Sequence, residues 1–529
     1  MTIIKPRVVV IGAGINGLVS AHYLQRAGCQ VTLLERADRV GGACISEVAT
    51  VNGHTQQYAL GASVLGLMPD FIFQETGLAE RLETYEPKLA KRVYFPSADT
   101  SAWIYRNPQE LDRELKTRWG ERGDVEGFRA DEARVVDYLQ EGYRSATPPS
   151  LPAARDHLGD TLTRLWISGS ASELFNHYFT AEHTKIYMGM TVTESGPVSL
   201  YEPYSAFTLP VMDSGSVFDS YYGFVKPGIW RVTEELAQIN REIGVDIRLG
   251  AQVEQVDPER GSVHYQAQGR THTLPFDHVL LATDPLTAAR CVGDAALTGA
   301  VERNRFLGSS GKLTLMFRNP VRWKEGTTGD GGDTVFRFIF AVESLADYER
   351  ATLRVTTGEV DYEPGFIQIY CEGAAMRQLG HAEPFDRLTL FFKNVALNLR
   401  GEALPEVEAA VKAQLFLHIE NPEDCVWSRL LLPRDLQQLF HFPGGNIDHS
   451  MLVGGQTFFE RQYAADPEKN FYQFGKWANL AYCGAGAYPC GSIAGTPGYM
   501  CAQQLLRELG KVDPNSATRR QAVVGVGQY

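Results

Sequence analysis

The chain of 529 residues is long enough to bury a large core and to divide into two domains, and its 44% hydrophobic and 21% charged residues are the proportions of an ordinary globular protein. A net charge of −13, with no clustered Lys and Arg, excludes a nucleic-acid binder; it also disfavours electrostatic docking to anionic lipid, though not insertion of an apolar patch. No stretch approaches the roughly eighteen uncharged apolar residues of a membrane span, and the first apolar run, Val8 to Ile11, is too short for a secretory signal.

That run opens the first predicted unit. Val8 to Ile11 is a buried parallel strand, and the residues after it read Gly12-Ala13-Gly14-Ile15-Asn16-Gly17. Gly12 permits a tight turn, Gly14 lets the backbone approach a pyrophosphate, and Gly17 lets the next helix pack closely on the sheet. Phosphates then sit at a helix N-terminus, where free amides and the dipole favour negative charge. A second strand closes on Glu35, eighteen residues past Gly17, which is placed to accept hydrogen bonds from an adenosine ribose. Arg36 follows it and is counted with that end of the site. Next comes Gly41-Gly42, a pair that allows backbone close to a dinucleotide.

Residues 70–224 form a long insertion in which amphipathic helices are expected, for instance Ala133 to Tyr143. The nucleotide fold then returns. A helix is predicted over Arg231 to Asn240, ended by Gly244, followed by strands at Val245 to Leu249 and Gln252 to Val256. An antiparallel pair, Ser262 to Gln266 with His272 to Leu274, precedes a buried strand from Asp277 that ends at Ala282-Thr283. A second insertion, 300–470, carries the strand-like runs Lys312 to Phe317, Val335 to Val342 and Gly365 to Tyr370, expected to form a cavity wall. The last return is Leu480 to Gly498, running into a helix through Leu509, with Thr496 as its expected N-cap and Pro497 as its first residue. The tail after Gly510, with Pro514 and paired Arg519-Arg520, is expected to be mobile.

These three returns, Gly12 to Gly42, 244–285 and 480–505, resemble the FAD-dependent oxidoreductases of the phytoene-desaturase-like and flavin amine oxidase superfamily. Asn16 inside the fingerprint, and Pro443-Gly444-Gly445-Asn446-Ile447 with His449, are similar to its desaturase-like carotenoid ketolase branch. The resemblance implies an α/β fold: a Rossmann-type FAD-binding domain of the glutathione-reductase-like kind, interleaved with a mixed α+β substrate domain. The FAD-binding domain would comprise 1–69, 225–299 and 471–510, and the substrate domain 70–224 and 300–470, with 511–529 as tail. It further implies that Val253 lies against the adenine, that Ala282 and Thr283 pass near the pyrophosphate, and that Gly484, Ser492 and Ile493 approach the flavin. The family's loop reads Pro-Gly-Gly-Gly-Val where this chain has Pro489-Cys490-Gly491-Ser492-Ile493, so side chains stand where glycines usually lie and the substrate need not be a carotenoid.

The chemistry expected is removal of a hydride, or two electrons, from a largely apolar small molecule, with reoxidation by oxygen or a quinone-like acceptor. Lys312 resembles the lysine of that region in the desaturase-like branch and is a catalytic candidate; a solvent-exposed lysine at a strand start is its alternative. Tyr488 is a weaker catalytic candidate, as are His441 and His449. Amine oxidation is the runner-up reaction, and a flavin-binding scaffold or chaperone without turnover is the alternative from another class. The eight cysteines lack a Cys-x-x-Cys pair and the twelve histidines lack a His-x-x-x-His cluster, so no metal or redox dithiol is expected and a reducing, cytoplasmic location is, with peripheral membrane contact left open.

Overall fold

A computed structural model describes residues 5–194, 196–325, 335–357, 365–399 and 403–511. Apart from Lys511, the tail expected to be mobile lies outside them. A five-stranded parallel sheet sits at one pole, in the spatial order Leu480–Tyr482, His278–Leu281, Arg7–Ile11, Gln30–Leu34, Asp246–Arg248. The apolar run Val8 to Ile11 is central because it is buried on both faces and paired on both edges, as strands under crossover helices require. Helix Ile15–Arg26 packs against it through Gly17, where an added Cβ would lie 1.9 Å from the Gly12 carbonyl oxygen.

Helices Arg231–Glu242 and Thr496–Glu508 lie against the same helix. Asn240 Nδ2 donates to the Leu18 carbonyl at 2.8 Å, and Gly498 permits contact with Asn16, whose carbonyl oxygen would be 2.1 Å from a Cβ there. The three-stranded antiparallel sheet Gln252–Asp257, Ser262–Ala267, Arg270–Pro275 extends the expected pair slightly at each end. One terminus differs from expectation. The last helix begins at Thr496, with Gly495 as its cap in the left-handed region (φ +70°), and the Thr496 hydroxyl caps nothing.

The second sheet has seven strands, ordered Cys425–Leu431, Gly311–Phe317, Asp386–Phe392, Phe366–Tyr370, Phe336–Phe340, Lys91–Phe95, Thr100–Ile104. It is antiparallel except where Phe336–Phe340 meets Lys91–Phe95. The wall expected from the second insertion alone thus recruits two strands from the first. Helices Pro108–Trp119 and Glu372–Gln378 pack on it, and Val125–Ser145, which contains the expected 133–143 segment, packs on the first of these and is capped by Asp124 accepting from the Gly127 amide. A hairpin, Ser46–Val51 with His54–Ala59, runs between the sheets and packs on Phe385, Leu431, Leu436 and Phe442.

Candidate active site

One cavity of about 700 Å³ runs from the first glycine turn to the face of the seven-stranded sheet. At its nucleotide end, Gly12 takes φ +105° with a virtual Cβ 3.0 Å from the Ala282 carbonyl oxygen, so the turn depends on glycine there. Gly14 heads helix Ile15–Arg26 without any side-chain cap, leaving the first amides of the helix free. The Gly41 amide donates to the Ala13 carbonyl at 2.9 Å, which brings Gly42 over the turn with its virtual Cβ 3.3 Å from the Gly14 Cα. Two backbone segments without side chains therefore face each other across a gap suited to a pyrophosphate.

Glu35 accepts from the Ala13 amide through Oε2 (2.8 Å) and from the Ala37 amide through Oε1 (2.9 Å), so its carboxylate is oriented while each oxygen keeps a lone pair for a ribose hydroxyl. Arg36, Val253, Ala282 and Thr283 line the same end. Asn16 lines it too, and its Oδ1 is buried without a partner. Gly17 and Gly484 do not line the cavity. Gly17 serves helix packing, and Gly484 accommodates the Thr283 carbonyl, whose oxygen would be 2.0 Å from a Cβ, so its part is to join two strand ends beneath the site.

Farther along, Gly491, Ser492 and Ile493 line the cavity, with Ser492 and Ile493 both at φ +60°. Left-handed backbone is the conformation glycine takes most readily, so this turn keeps a glycine-like geometry with side chains in place, and a β-branched residue there is strained. The Asp448 carboxylate secures this turn, accepting from the Gly491 amide at 3.1 Å and weakly from Ser492 Oγ at 3.4 Å. Arg461, 2% exposed, reaches the same region. Its guanidinium donates to the carbonyls of Asp448 (2.7 Å), Ala485 (2.9 Å), Ala487 (3.2 Å) and Gln456 (3.2 Å) and to Ser450 Oγ (2.9 Å), tying the 448–456 loop to the loop before Gly491. His441 and His449 line the cavity, and burial lowers the pKa of both, so the imidazoles stay neutral.

Tyr488 lies elsewhere. Its ring is packed against Tyr143 (centroids 6.0 Å), Phe471 (6.1 Å) and Phe458 (6.4 Å), and it does not reach the cavity, so this catalytic expectation is corrected to a packing role. An aromatic residue beside a glycine-rich loop reads alike in sequence whichever way its ring turns.

Lys312 is buried, 4% exposed, so it is not a surface lysine at a strand start. Its Nζ donates to the carbonyls of Ala59 (2.7 Å) and Gly61 (2.8 Å), holding the 61–64 segment against the cavity and leaving a third donor direction unused. Burial lowers its pKa to about 8, with Glu372 opposing the shift. Across the sheet, Lys312 pairs with Phe391 and Phe391 with Gln368; one step on, Thr314 pairs with Thr389 and Thr389 with Tyr370. Phe391, Thr389 and Tyr370 line the cavity, joined by Tyr222, Glu194 and Ser63. Of these six, only Tyr370 lies in a run expected to wall the cavity; the others escaped sequence reasoning, because Ser63, Glu194 and Tyr222 reach the sheet from segments far from it in sequence and no local pattern marks them or Thr389 and Phe391.

The profile of the flavin containing amine oxidoreductase family matches residues 15–365. The chain belongs to the flavin-containing amine oxidoreductases. It is an FAD-dependent oxidoreductase with the Rossmann-type fold of that family, and the open cradle between Gly14 and Gly42, the uncapped helix start and the partnerless Asn16 Oδ1 fit FAD. An uncharacterized protein of Mycobacterium tuberculosis is 25% identical over 94% of this chain and 96% of its own length. A hydroxyneurosporene desaturase of Cereibacter sphaeroides is 27% identical over 55% of this chain and 59% of its own. Among solved structures, a putrescine oxidase superposes with a TM-score of 0.59 at 16% identity (96% and 98% of the two chains), and cyclohexylamine oxidase from Brevibacterium oxydans with 0.57 at 14% (98% and 100%). Among the described residues no helix is long and apolar enough to cross a membrane.

Proposed function

We propose that this flavoprotein is a dehydrogenase of the desaturase type, oxidising a largely apolar small molecule whose body lies against the seven-stranded sheet. The single observation that carries this reading is continuity: one cavity passes from the glycine cradle to a wall bearing Lys312, Thr389, Phe391 and Tyr370. FAD supplies the two-electron acceptor when bound. The chain supplies position and dryness. Gly12, Gly14, Asn16, Gly41 and Gly42 receive the pyrophosphate, Glu35 and Arg36 the ribose end, Val253 the adenine side, Ala282 and Thr283 the middle, and Ser492 and Ile493 the flavin end. Gly17 and Gly484 act through the packing behind them. Lys312 is assigned as the catalytic cation, its fixed ammonium offering one donor to a developing negative charge or to an ordered water.

In this reading 1–69, 225–299 and 471–510 form the FAD-binding domain and 70–224 with 300–470 the substrate domain. Electrons leave to oxygen or a quinone-like acceptor. The protein is cytoplasmic, and an apolar substrate would make peripheral membrane contact useful. Amine oxidation is the second reading, favoured by two tyrosine rings, Tyr222 and Tyr370, on the cavity. Anaerobic mixing of the holoprotein with polyene hydrocarbons and with alkylamines tests both. Bleaching by a polyene, with a product that has gained a carbon–carbon double bond, supports the dehydrogenase; bleaching by an alkylamine alone, giving an imine and on hydrolysis an aldehyde, supports amine oxidation; a flavin that neither set reduces refutes both.

A further inference from the structure

The sheet end of the cavity carries an oriented chain of hydrogen bonds. The Tyr370 hydroxyl donates to Gln368 Oε1 at 2.5 Å, and Gln368 Nε2 donates to Glu194 Oε1 at 2.7 Å. Gln368 is 3% exposed and Tyr370 and Glu194 line the cavity at either side of it. Burial raises the pKa of Glu194, while the Gln368 amide and the Lys393 charge oppose the shift; ionised, the carboxylate only accepts, and so turns the amide nitrogen toward itself and the amide oxygen toward the tyrosine. With its proton committed to Gln368, Tyr370 has only lone pairs left to offer. The second oxygen of Glu194 has no hydrogen-bond partner among the described residues, and the residue lines the cavity. Lys393, the nearest cation, donates instead to the main-chain oxygen of Glu194 and to Ser310 Oγ at 2.6 Å. Thr389 Oγ1, on the same wall, has no partner either.

Tyr370 and an ionised Glu194 can therefore only accept here, while the Thr389 hydroxyl can accept as well as donate, and all three are set among the rings of Tyr222, Tyr370 and Phe391. Tyr222 is held there because Gly66 has no side chain: a Cβ on it would be 2.2 Å from the Tyr222 ring. A plain hydrocarbon would leave the second Glu194 oxygen desolvated and without a donor, which costs more than an apolar wall would. We infer that the substrate is amphiphilic, and that Glu194, oriented by Gln368 and Tyr370, binds an N–H or O–H headgroup, an ammonium or a hydroxyl, while the apolar body extends toward Lys312. The row Lys312, Phe391, Gln368 spans two strand spacings, so headgroup and Lys312 are separated by roughly 10 Å or more. The donor head is then an anchor remote from the oxidised carbon.

This inference rests on the dehydrogenase reading of the same cavity but is tested by binding, not by turnover. The FAD-loaded protein is titrated anaerobically with octylamine, 1-octanol and octane, following the perturbation of the flavin spectrum. Octylamine or octanol is expected to bind at least tenfold more tightly than octane, and whichever of the two binds better identifies the head as ammonium or hydroxyl. Glu194→Gln should remove most of that advantage, roughly tenfold for a charge-assisted contact, and leave octane unchanged. Tyr370→Phe, which keeps the ring and frees Gln368 to turn, should give a smaller loss in the same direction. Equal binding of the three probes by the wild type, or an undiminished preference in both variants, overturns the inference. Failure of the dehydrogenase reading is distinct: a flavin that polyene hydrocarbons never bleach, whatever the octyl probes do to its spectrum.

Discussion

Gly14→Val separates the two demands that the nucleotide loop must meet. A Cβ on Gly14 finds only the Gly42 Cα, at 4.0 Å, and the backbone there (φ −72°, ψ 178°) is one any residue adopts. The apoprotein therefore tolerates valine at the cost of a poorer helix cap, about 1 kcal/mol. The gap facing the Gly41-Gly42 segment is another matter, because the two valine methyls would fill the space proposed for the pyrophosphate, and affinity should fall by a factor on the order of a hundred or more. Gly17→Ala is the contrasting control: its Cβ would meet the Gly12 carbonyl oxygen at 1.9 Å, so the helix must move and the fold itself suffers. The assay is thermal unfolding with and without added FAD. Wild type gains stability by mass action, about 2.7 kcal/mol at a hundredfold excess of FAD over Kd. Gly14→Val should unfold within a few degrees of the wild-type apoprotein and gain nothing from FAD. A yellow, FAD-stabilised Gly14→Val would refute the placement of the pyrophosphate, and an unfolded one would refute the steric argument.

Lys312→Met should retain FAD while slowing flavin reduction or reoxidation about tenfold or more, the scale of one lost electrostatic contact; unchanged half-reactions would make this lysine purely structural. Because burial lowers its pKa to about 8, the ammonium is present below that pH and lost above it, so the wild-type half-reaction should decline as pH rises through about 8 and the inflection should vanish in Lys312→Met. Arg461→Met leaves four buried carbonyls without their donor and should destabilise the fold by roughly 3 kcal/mol or more, with weaker FAD retention; a stable variant with full FAD would show that the 448–456 loop holds without it. NADPH mixed anaerobically with the holoprotein should not bleach the flavin, since the single complete glycine fingerprint serves FAD; rapid bleaching would shift the reading toward a hydroxylase, ketolase or reductase.

The nucleotide end of this site was legible because its determinants are local. Strand, turn, helix and acidic residue follow one another from Val8 to Glu35, and each residue's part depends on neighbours within one βαβ unit. The substrate end was not. Strand Asp386–Phe392 is buried on both faces along nearly its whole length, so no alternation tells that Thr389 and Phe391, and not Leu388 and Leu390, meet the cavity. Glu194 reaches it from the turn after a helix and Tyr222 from an irregular loop, both more than a hundred residues before that strand. Lys312 was recognised by resemblance, but its burial depends on the Ala59 and Gly61 carbonyls, contributed from 250 residues earlier. Tyr488 and Thr496 failed for the opposite reason: each is a plausible residue for its expected part, and packing by Tyr143 and the left-handed Gly495 decide otherwise.

A crystal structure of the FAD-loaded protein tests the account most directly. The pyrophosphate is expected between Gly14 and Gly42, the ribose hydroxyls on Glu35, and the flavin ring system in the stretch of cavity bounded by Lys312 on one side and the Gly491 to Ile493 turn on the other. FAD bound in another cavity, or with its ring system directed away from the seven-stranded sheet, would contradict it.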